Sequence, residues 1–113
     1  VEPLLANALW SIIENGIEAM PDGGKLTIQT EEIRDQNDDR WVRIDISDEG
    51  IGIPRKDRGK LFSPLDSTKE GHMGYGLYLA KNVIVSLGGT IDLDTEEGRG
   101  TVFTIRLPAW EGG

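Results

Sequence analysis

The alternating segment Val42, Ile44, Ile46 stops at Asp48-Glu49-Gly50-Ile51-Gly52-Ile53, and this stop constrains the fold more than any other stretch. A period of two over such a run predicts a half-buried strand. The strand carries one carboxylate, Asp48, to its own end. Two glycines follow, which let the backbone turn tightly and leave no side chain over the space beside the acid. A plain turn uses the same residues, because Asp and Gly are common turn formers. An acid facing a glycine-lined gap also suits recognition of a flat polar ligand. The choice between the two depends on the rest of the chain.

Leu4 to Met20 has a helical period. At about 100° per residue, Leu5, Ala8, Leu9, Ile12, Ile13, Gly16, Ile17, Ala19 and Met20 fall on one arc, with Glu14 and Glu18 opposite. Asn15 lies at the rim of that arc, with Ser11 one turn before it. Asn has weak propensity inside a helix and no cap to make there. At the rim it reaches either water or a ligand held against the helix. Pro21-Asp22-Gly23-Gly24 stops the helix. Lys25 to Ile33 and Trp41 to Ser47 then alternate, with Leu26 and Ile28 on one face of the first. The pattern predicts a long antiparallel hairpin with one buried face and a solvated acidic tip at residues 34–40.

Beyond the Asp48 turn, Pro54 suits the start of a short helix, and Arg55, Lys56, Arg58 and Lys60 reverse the local charge. That reversal fits an anionic ligand or a solvated helix face equally. Residues 63–75 show no period and are rich in turn formers. A second helical pattern runs through Leu77, Ala80, Val83, Ile84 and Leu87, and Gly88-Gly89 ends it where a left-handed cap belongs. Gly74 and Gly76 therefore sit where the chain enters a helix. Free amides and the helix dipole favour an anion at such a place, although a flexible loop entrance has the same composition. Thr90 to Thr95 and Thr101 to Leu107 predict two further strands, closed by Pro108.

Length and charge narrow the function. The 113 residues, 37% hydrophobic and 28% charged, fit a single globular domain, 1–113. Twenty acidic against twelve basic residues argue against broad binding of nucleic acid or an anionic membrane. With no cysteine, thiol nucleophiles and Cys-based metal sites are excluded, and the single His72 excludes a His-rich one. No apolar run approaches a membrane span and the start does not resemble a signal peptide, so a cytoplasmic location is expected. The chain enters its first helical pattern at once, as a piece of a longer protein would. It shows no dimerisation element, so a monomer is expected.

Taken in order, these stretches resemble the catalytic ATP-binding domain of sensor histidine kinases. That family lies in the superfamily of the Bergerat fold, with type II topoisomerases, Hsp90 chaperones and mismatch-repair ATPases. Residues Ile12 to Met20 resemble the N box and Asp48 to Ile53 the first glycine box. Leu61 to Lys69 resemble the F box, Gly71 to Leu77 the second glycine box, and Gly98-Arg99-Gly100-Thr101-Val102-Phe103 the closing Gly-Thr-x-Phe. Each box is weak alone; five in order cover nearly the whole chain.

The resemblance implies an α+β two-layer sandwich. Its sheet would be mixed and mostly antiparallel, its helices on one face, and an ATP lid would lie between the F box and the second glycine box. It implies that Asn15, Asp48, Gly50, Gly52, Ile53, Lys69, Gly74, Tyr75, Gly76, Leu77 and Thr101 bind nucleotide. Asp48 would accept from the adenine amino group, where guanine presents a carbonyl. Thr101 would help through its hydroxyl, and Gly52 would let the base lie on backbone. Asn15 would offer its carbonyl oxygen to Mg²⁺, a hard ion that keeps several waters. Amides around Gly74 and Gly76 would hold phosphate, with Lys69 and one of Arg55, Lys56 or Arg58 beside them. The implied reaction passes the ATP γ-phosphate to a histidine on a separate dimeric helical domain, with a response regulator downstream. His72 belongs to the lid and to no acceptor motif.

Three positions depart from the family pattern. Ser11 stands where hydrolysing branches keep a Glu that activates water, which argues for a kinase over a fast ATPase. Gly16 replaces the usual Ala after the Asn, loosening the helix by roughly 0.5–1 kcal/mol. Met73 replaces a common Thr in the second glycine box. The family's strand ahead of the N box is missing, which predicts an uncovered sheet edge. An anti-sigma-type serine kinase, and a sensor module that binds ATP without catalysis, are the alternative readings.

Overall fold

The computed structural model describes residues 2–53, 55–58 and 74–109. Lys60, the F box, the lid with Lys69, His72 and Met73, and the C-terminal Trp110 lie outside them. The elements are α1 (Glu2–Glu18), β1 (Leu26–Arg34), β2 (Arg40–Asp48), α2 (Arg55–Arg58), α3 (Gly74–Ser86), β3 (Thr90–Glu96) and β4 (Gly100–Pro108). The strands form one sheet in the order β1-β2-β4-β3, and every pairing among the described residues is antiparallel. Helices α1 and α3 pack against each other and against the sheet. The expected α+β two-layer architecture is therefore present.

The alternation of each strand selects the covered face. Ile44 and Ile46 of β2 and Phe103, Ile105 and Leu107 of β4 are buried against Ala8 and Ile12 of α1 and Leu77, Ala80 and Ile84 of α3. Phe103, Ile12, Leu77, Ile84 and Ile105 are each under 2% exposed. Full burial of such a side chain stabilises by about 1.5–3 kcal/mol. Central strands supply the core because both flanks are paired and the helices lie above them.

Two residues expected on apolar faces are half-exposed, Ile17 and Ile28, each at 50%. Ile28 pairs with the buried Ile46 but belongs to the edge strand β1, where α1 provides little cover. Ile17 lies in the last turn of α1. Among the described residues, the outer edge of β1 has no strand beside it.

The hairpin tip is more ordered than a merely solvated acidic loop. Asp35 Oδ1 accepts from the backbone N–H of Asn37 at 2.8 Å and of Asp39 at 3.0 Å, and Oδ2 accepts from Trp41 Nε1 at 2.9 Å. These bonds, the Trp41 one foremost, hold the Asp35 carboxyl below the usual carboxylate range. Asp38 completes the turn at φ 66°, a conformation that Asp tolerates. The far end of α3 behaves as its glycines predict. Gly88, at φ 85°, donates to Val85 O, and Gly89 donates to Ile84 O, both at 2.9 Å. This pair of bonds satisfies the last carbonyls of the helix.

Candidate functional site

At one end of the sheet the apolar face gives way to a polar row. Along β2 the inward residues run Ile44, Ile46, Asp48; along β4 they run Ile105, Phe103, Thr101; along β3 they run Ile91, Leu93, Thr95. The register sets Asp48 opposite Thr101 and Thr101 opposite Thr95. Asp48 is 7% exposed and Thr101 3%. A carboxylate removed from water this far needs hydrogen-bond donors, and the turn that follows it supplies one.

That turn is braced on three sides. Gly50 N–H donates to Asp48 Oδ1 at 2.8 Å. Ile51 N–H donates to Ala19 O at 3.2 Å, satisfying a carbonyl just past the end of α1. Ile51 O in turn accepts from Gly98 N–H at 2.9 Å, and Ile53 N–H donates to Thr95 Oγ1 at 3.0 Å. The Asp48 turn is thus clamped between α1 and the β3–β4 turn. Gly52 adopts φ 76°, and a Cβ there would sit 2.3 Å from Glu96 O. Only glycine lets the two turns meet at this point.

The helix α1 brings Asn15 and Gly16 to the same place. Asn15 is 7% exposed. Among the described residues its side-chain amide takes no hydrogen bond, and no fully buried side-chain polar atom lacks a partner, so the amide opens toward solvent at the rim. Gly16 does more than loosen the helix. A Cβ on it would lie 2.8 Å from Leu26 Cδ1 and 3.3 Å from Asp48 Oδ2, so its absence makes room for the carboxylate.

The helix α3 starts at Gly74, three residues before its apolar period begins. Amides of the first turn have no acceptor inside their own helix, so those of Gly74, Tyr75 and Gly76 are free of intrahelical bonds. Gly76 faces α1: a Cβ there would come 3.4 Å from Ser11 Oγ. Leu77, expected to bind nucleotide, places its side chain in the core at 1% exposure. It supports the helix because its position continues the buried stripe of Ala80 and Ile84. Of the three basic candidates on α2, Arg58 turns its Nε to Ile53 O at 3.1 Å and so braces the turn; Arg55 and Lys56 are exposed. Lys69 lies outside the described residues.

The structure therefore brings Asn15, Asp48, Gly50, Gly52, Ile53 and Thr101 together at one end of the sheet. It adds two residues missed in the sequence, Thr95 and Gly100. Thr95 and Thr101 stand at equal distances on either side of Gly98, a symmetry that places them opposite each other in a hairpin; that spacing was the available signal. Gly100 adopts φ 129°, and a Cβ there would meet Asp48 O at 2.1 Å.

Whether this end of the molecule suits a nucleotide carrying a metal follows from the donors present. Among the described residues no group of three or more His, Cys, Asp or Glu gathers to hold a metal. The open Asn15 amide oxygen is a hard ligand of the kind Mg²⁺ takes singly from protein, the remaining positions going to phosphate and water. The residues fit a metal that arrives with its nucleotide.

Known proteins share this chain's sequence pattern and fold. The family model described as histidine kinase-, DNA gyrase B- and HSP90-like ATPase matches residues 1–111. Sporulation kinase D of Bacillus subtilis is 35% identical over 92% of this chain, which spans 20% of that protein. Sporulation kinase E of the same organism is 39% identical over 92% of this chain, which spans 14% of it. The sensor histidine kinase WalK, also of Bacillus subtilis, is 36% identical over 92% of this chain, which spans 18% of it. Among solved structures, the catalytic domain of the histidine kinase ThkA in a nucleotide-free form superposes with a TM-score of 0.79 at 30% identity. It covers 94% of this chain and 66% of that one. The mycobacterial sensor histidine kinase MprB gives a TM-score of 0.80 at 27% identity, covering 96% of this chain and 72% of that one. With a family model spanning almost every residue and kinase domains matching in both sequence and fold, the chain belongs to the histidine kinase-, DNA gyrase B- and HSP90-like ATPases, on the branch formed by the ATP-binding catalytic domains of sensor histidine kinases.

Proposed function

We propose that the chain binds Mg²⁺-ATP at the polar end of the sheet and, within a longer kinase, positions the γ-phosphate for transfer to a histidine on a separate helical domain. The observation that carries this reading is the buried Asp48 carboxylate, held by Gly50 N–H beside a glycine turn clamped on both flanks. Asp48 Oδ1 is engaged by its own turn, and the carboxylate as a whole only accepts hydrogen bonds. It therefore selects a base edge that carries an amino group over one that carries a carbonyl. Gly52 and Gly50 let the turn that carries Asp48 pack directly on the β3–β4 turn and on the end of α1, which holds the carboxylate in place.

Asn15 contributes its amide oxygen to the metal, and the Gly74 to Gly76 amides with the α3 dipole take phosphate oxygens. Mg²⁺ held there would supply neutralisation of the phosphate charge. Phosphoryl transfer asks little more of this side than positioning and charge neutralisation. The acceptor histidine and the dimeric helical domain that carries it belong to the parent protein, through which a separate response regulator is reached. The domain by itself acts as a monomer in the cytoplasm. No helix among the described residues is long and apolar enough to cross a membrane.

Calorimetry with a non-hydrolysable ATP analogue and Mg²⁺ on wild type and Asp48→Asn tests the base-reading role. Asn keeps an oxygen for Gly50 N–H but turns an acceptor toward the base into a donor. The loss of a charge-assisted bond is worth about 1.5–3 kcal/mol, or roughly tenfold to a hundredfold in affinity. Equal affinity in both proteins would remove Asp48 from the site. Transfer itself is tested with labelled ATP and the helical histidine domain of the parent. An acid-labile phosphoprotein is expected, and its absence while ATP binds would leave a sensor rather than a kinase.

A further inference from the structure

The polar row at the end of the sheet contains one hydroxyl with more partners than its neighbours. Thr95 Oγ1 lies 3.0 Å from Ile53 N, 3.1 Å from Gly100 O and 2.8 Å from Thr101 Oγ1. A hydroxyl has one proton to give and two lone pairs to offer. One lone pair is committed to Ile53 N–H, since an amide only donates. The single proton then goes either to Gly100 O or to Thr101 Oγ1.

The two choices are not equivalent. If Thr95 gives its proton to Thr101, the contact to Gly100 O carries no hydrogen, and the Thr101 proton is released toward Asp48. If Thr95 gives its proton to Gly100 O, Thr101 donates to the second lone pair of Thr95, and all three contacts are hydrogen bonds. The second arrangement satisfies more of these partly buried groups, and unsatisfied polar groups away from water are costly. It also leaves Thr101 with only lone pairs facing the Asp48 side. Asp48 and Thr101, opposite one another across β2 and β4, then form a wall that accepts and never donates.

We propose that Thr95 is a positioning residue for base selection: it holds the Thr101 hydroxyl so that the wall beside Asp48 stays acceptor-only, and it ties that wall to the glycine turn through Ile53. The proposal rests on the ATP-binding reading above. It goes beyond it by assigning selectivity to a residue that touches the base only through another. Such a wall accepts the protons of an amino group or of a bridging water, and rejects a ring carbonyl at the same place. Without Thr95, the Thr101 hydroxyl is free to rotate and donate, and the rejection weakens.

The experiment measures the affinity of the chain for non-hydrolysable analogues of ATP and of inosine triphosphate, which present an amino group beside a bare N1 and a carbonyl beside an N1–H, respectively. Thr95→Val keeps the β-branch and removes the hydroxyl; Thr95→Ser keeps the hydroxyl. The expected result is a fall of about tenfold in the ATP-to-inosine ratio for Thr95→Val, with Thr95→Ser near wild type. In a Thr101→Val background the same Thr95→Val change should leave the ratio unaltered, because the hydroxyl it controls is gone. A ratio unchanged in Thr95→Val, or reduced equally in both backgrounds, overturns the proposal while the ATP-binding reading stands. A wild-type chain that binds neither analogue overturns the reading and the proposal together. Thermal unfolding of each variant separates a loss of fold from a loss of selectivity, since a purely structural defect lowers both affinities and leaves their ratio in place.

Discussion

Replacing Gly52 by alanine tests the clamp on the Asp48 turn more directly than any change to the acid itself. Two costs combine at this position. The residue sits at φ 76°, where an L-residue costs about 1 kcal/mol or more relative to glycine. The new Cβ would also stand 2.3 Å from Glu96 O, 2.7 Å from Glu96 C and 2.8 Å from Glu97 Cα. All three are backbone atoms, which cannot swing aside as a side-chain tip can. Ordinary contact begins near 3.4 Å, so the turns must part by about 1 Å. Two hydrogen bonds cross that gap, Gly98 N–H to Ile51 O at 2.9 Å and Ile53 N–H to Thr95 Oγ1 at 3.0 Å. Stretched by that much, both pass beyond bonding distance, at about 1 kcal/mol each. The expected loss is about 3 kcal/mol, a large share of the stability of a small domain. Gly98→Ala is the matched control. Its φ is 84°, yet nothing lies within 4 Å of the added Cβ, so only the conformational cost of about 1 kcal/mol remains. Urea unfolding followed by tryptophan fluorescence measures both. If the two variants lose the same stability, the collision is absorbed elsewhere, and the claim that the two turns are rigidly coupled is refuted.

Two further predictions concern acid pH. On the outer sheet face Arg43 Nη2 donates to Asp45 Oδ2 at 3.0 Å and Thr104 Oγ1 donates to Asp45 Oδ1 at 2.9 Å. The Arg43 bond foremost depresses the Asp45 pKa. Its stabilisation is therefore full above the ordinary carboxylate pKa near 3.8 and lost as pH falls through the depressed folded value. With Arg43 39% exposed, solvent screening keeps the pair's contribution small. The stability gap between wild type and Asp45→Asn should close on acidification; a gap that persists at low pH contradicts the assignment. At the hairpin tip Asp35 shares this direction of shift. Its protonation should change the fluorescence of Trp41, whose indole N–H it accepts. Asp35→Asn should abolish that acid titration, and an unchanged titration would place its origin at another tryptophan.

The sequence by itself determined the elements and supplied most residues of the candidate site. Helical and alternating periods are local properties, so α1, the two hairpins and the Gly88-Gly89 end of α3 could be read from neighbours a few residues apart. The five boxes in order named Asp48, Asn15, Gly52 and Thr101. The entry to α3 at Gly74 and Gly76 was also legible, as the stretch leading into the apolar period at Leu77, but the packing of Gly76 beside Ser11 is a tertiary contact. Leu77 divides between the two: its place within a box suggests ligand contact, and the buried stripe it continues takes its side chain into the core, leaving its backbone for such a contact.

What only the tertiary structure decided is how the pieces constrain one another. Gly16 reads as a weak point in a helix until Leu26 and then Asp48 are seen to crowd the space that a Cβ would take. Ile17 and Ile28 fit their apolar faces by period, yet lie half-exposed, because cover depends on what stands opposite and not on the element's own pattern. Thr95 carries no motif, and its significance arises from β3 and β4 pairing across Gly98 while the Asp48 turn, more than forty residues earlier, supplies the amide it accepts. Periodicity fixes which side of an element is apolar. Which polar groups then meet at its end, and which way their protons point, is set by contacts between segments distant in the chain, and on those contacts the selectivity proposed for this site depends.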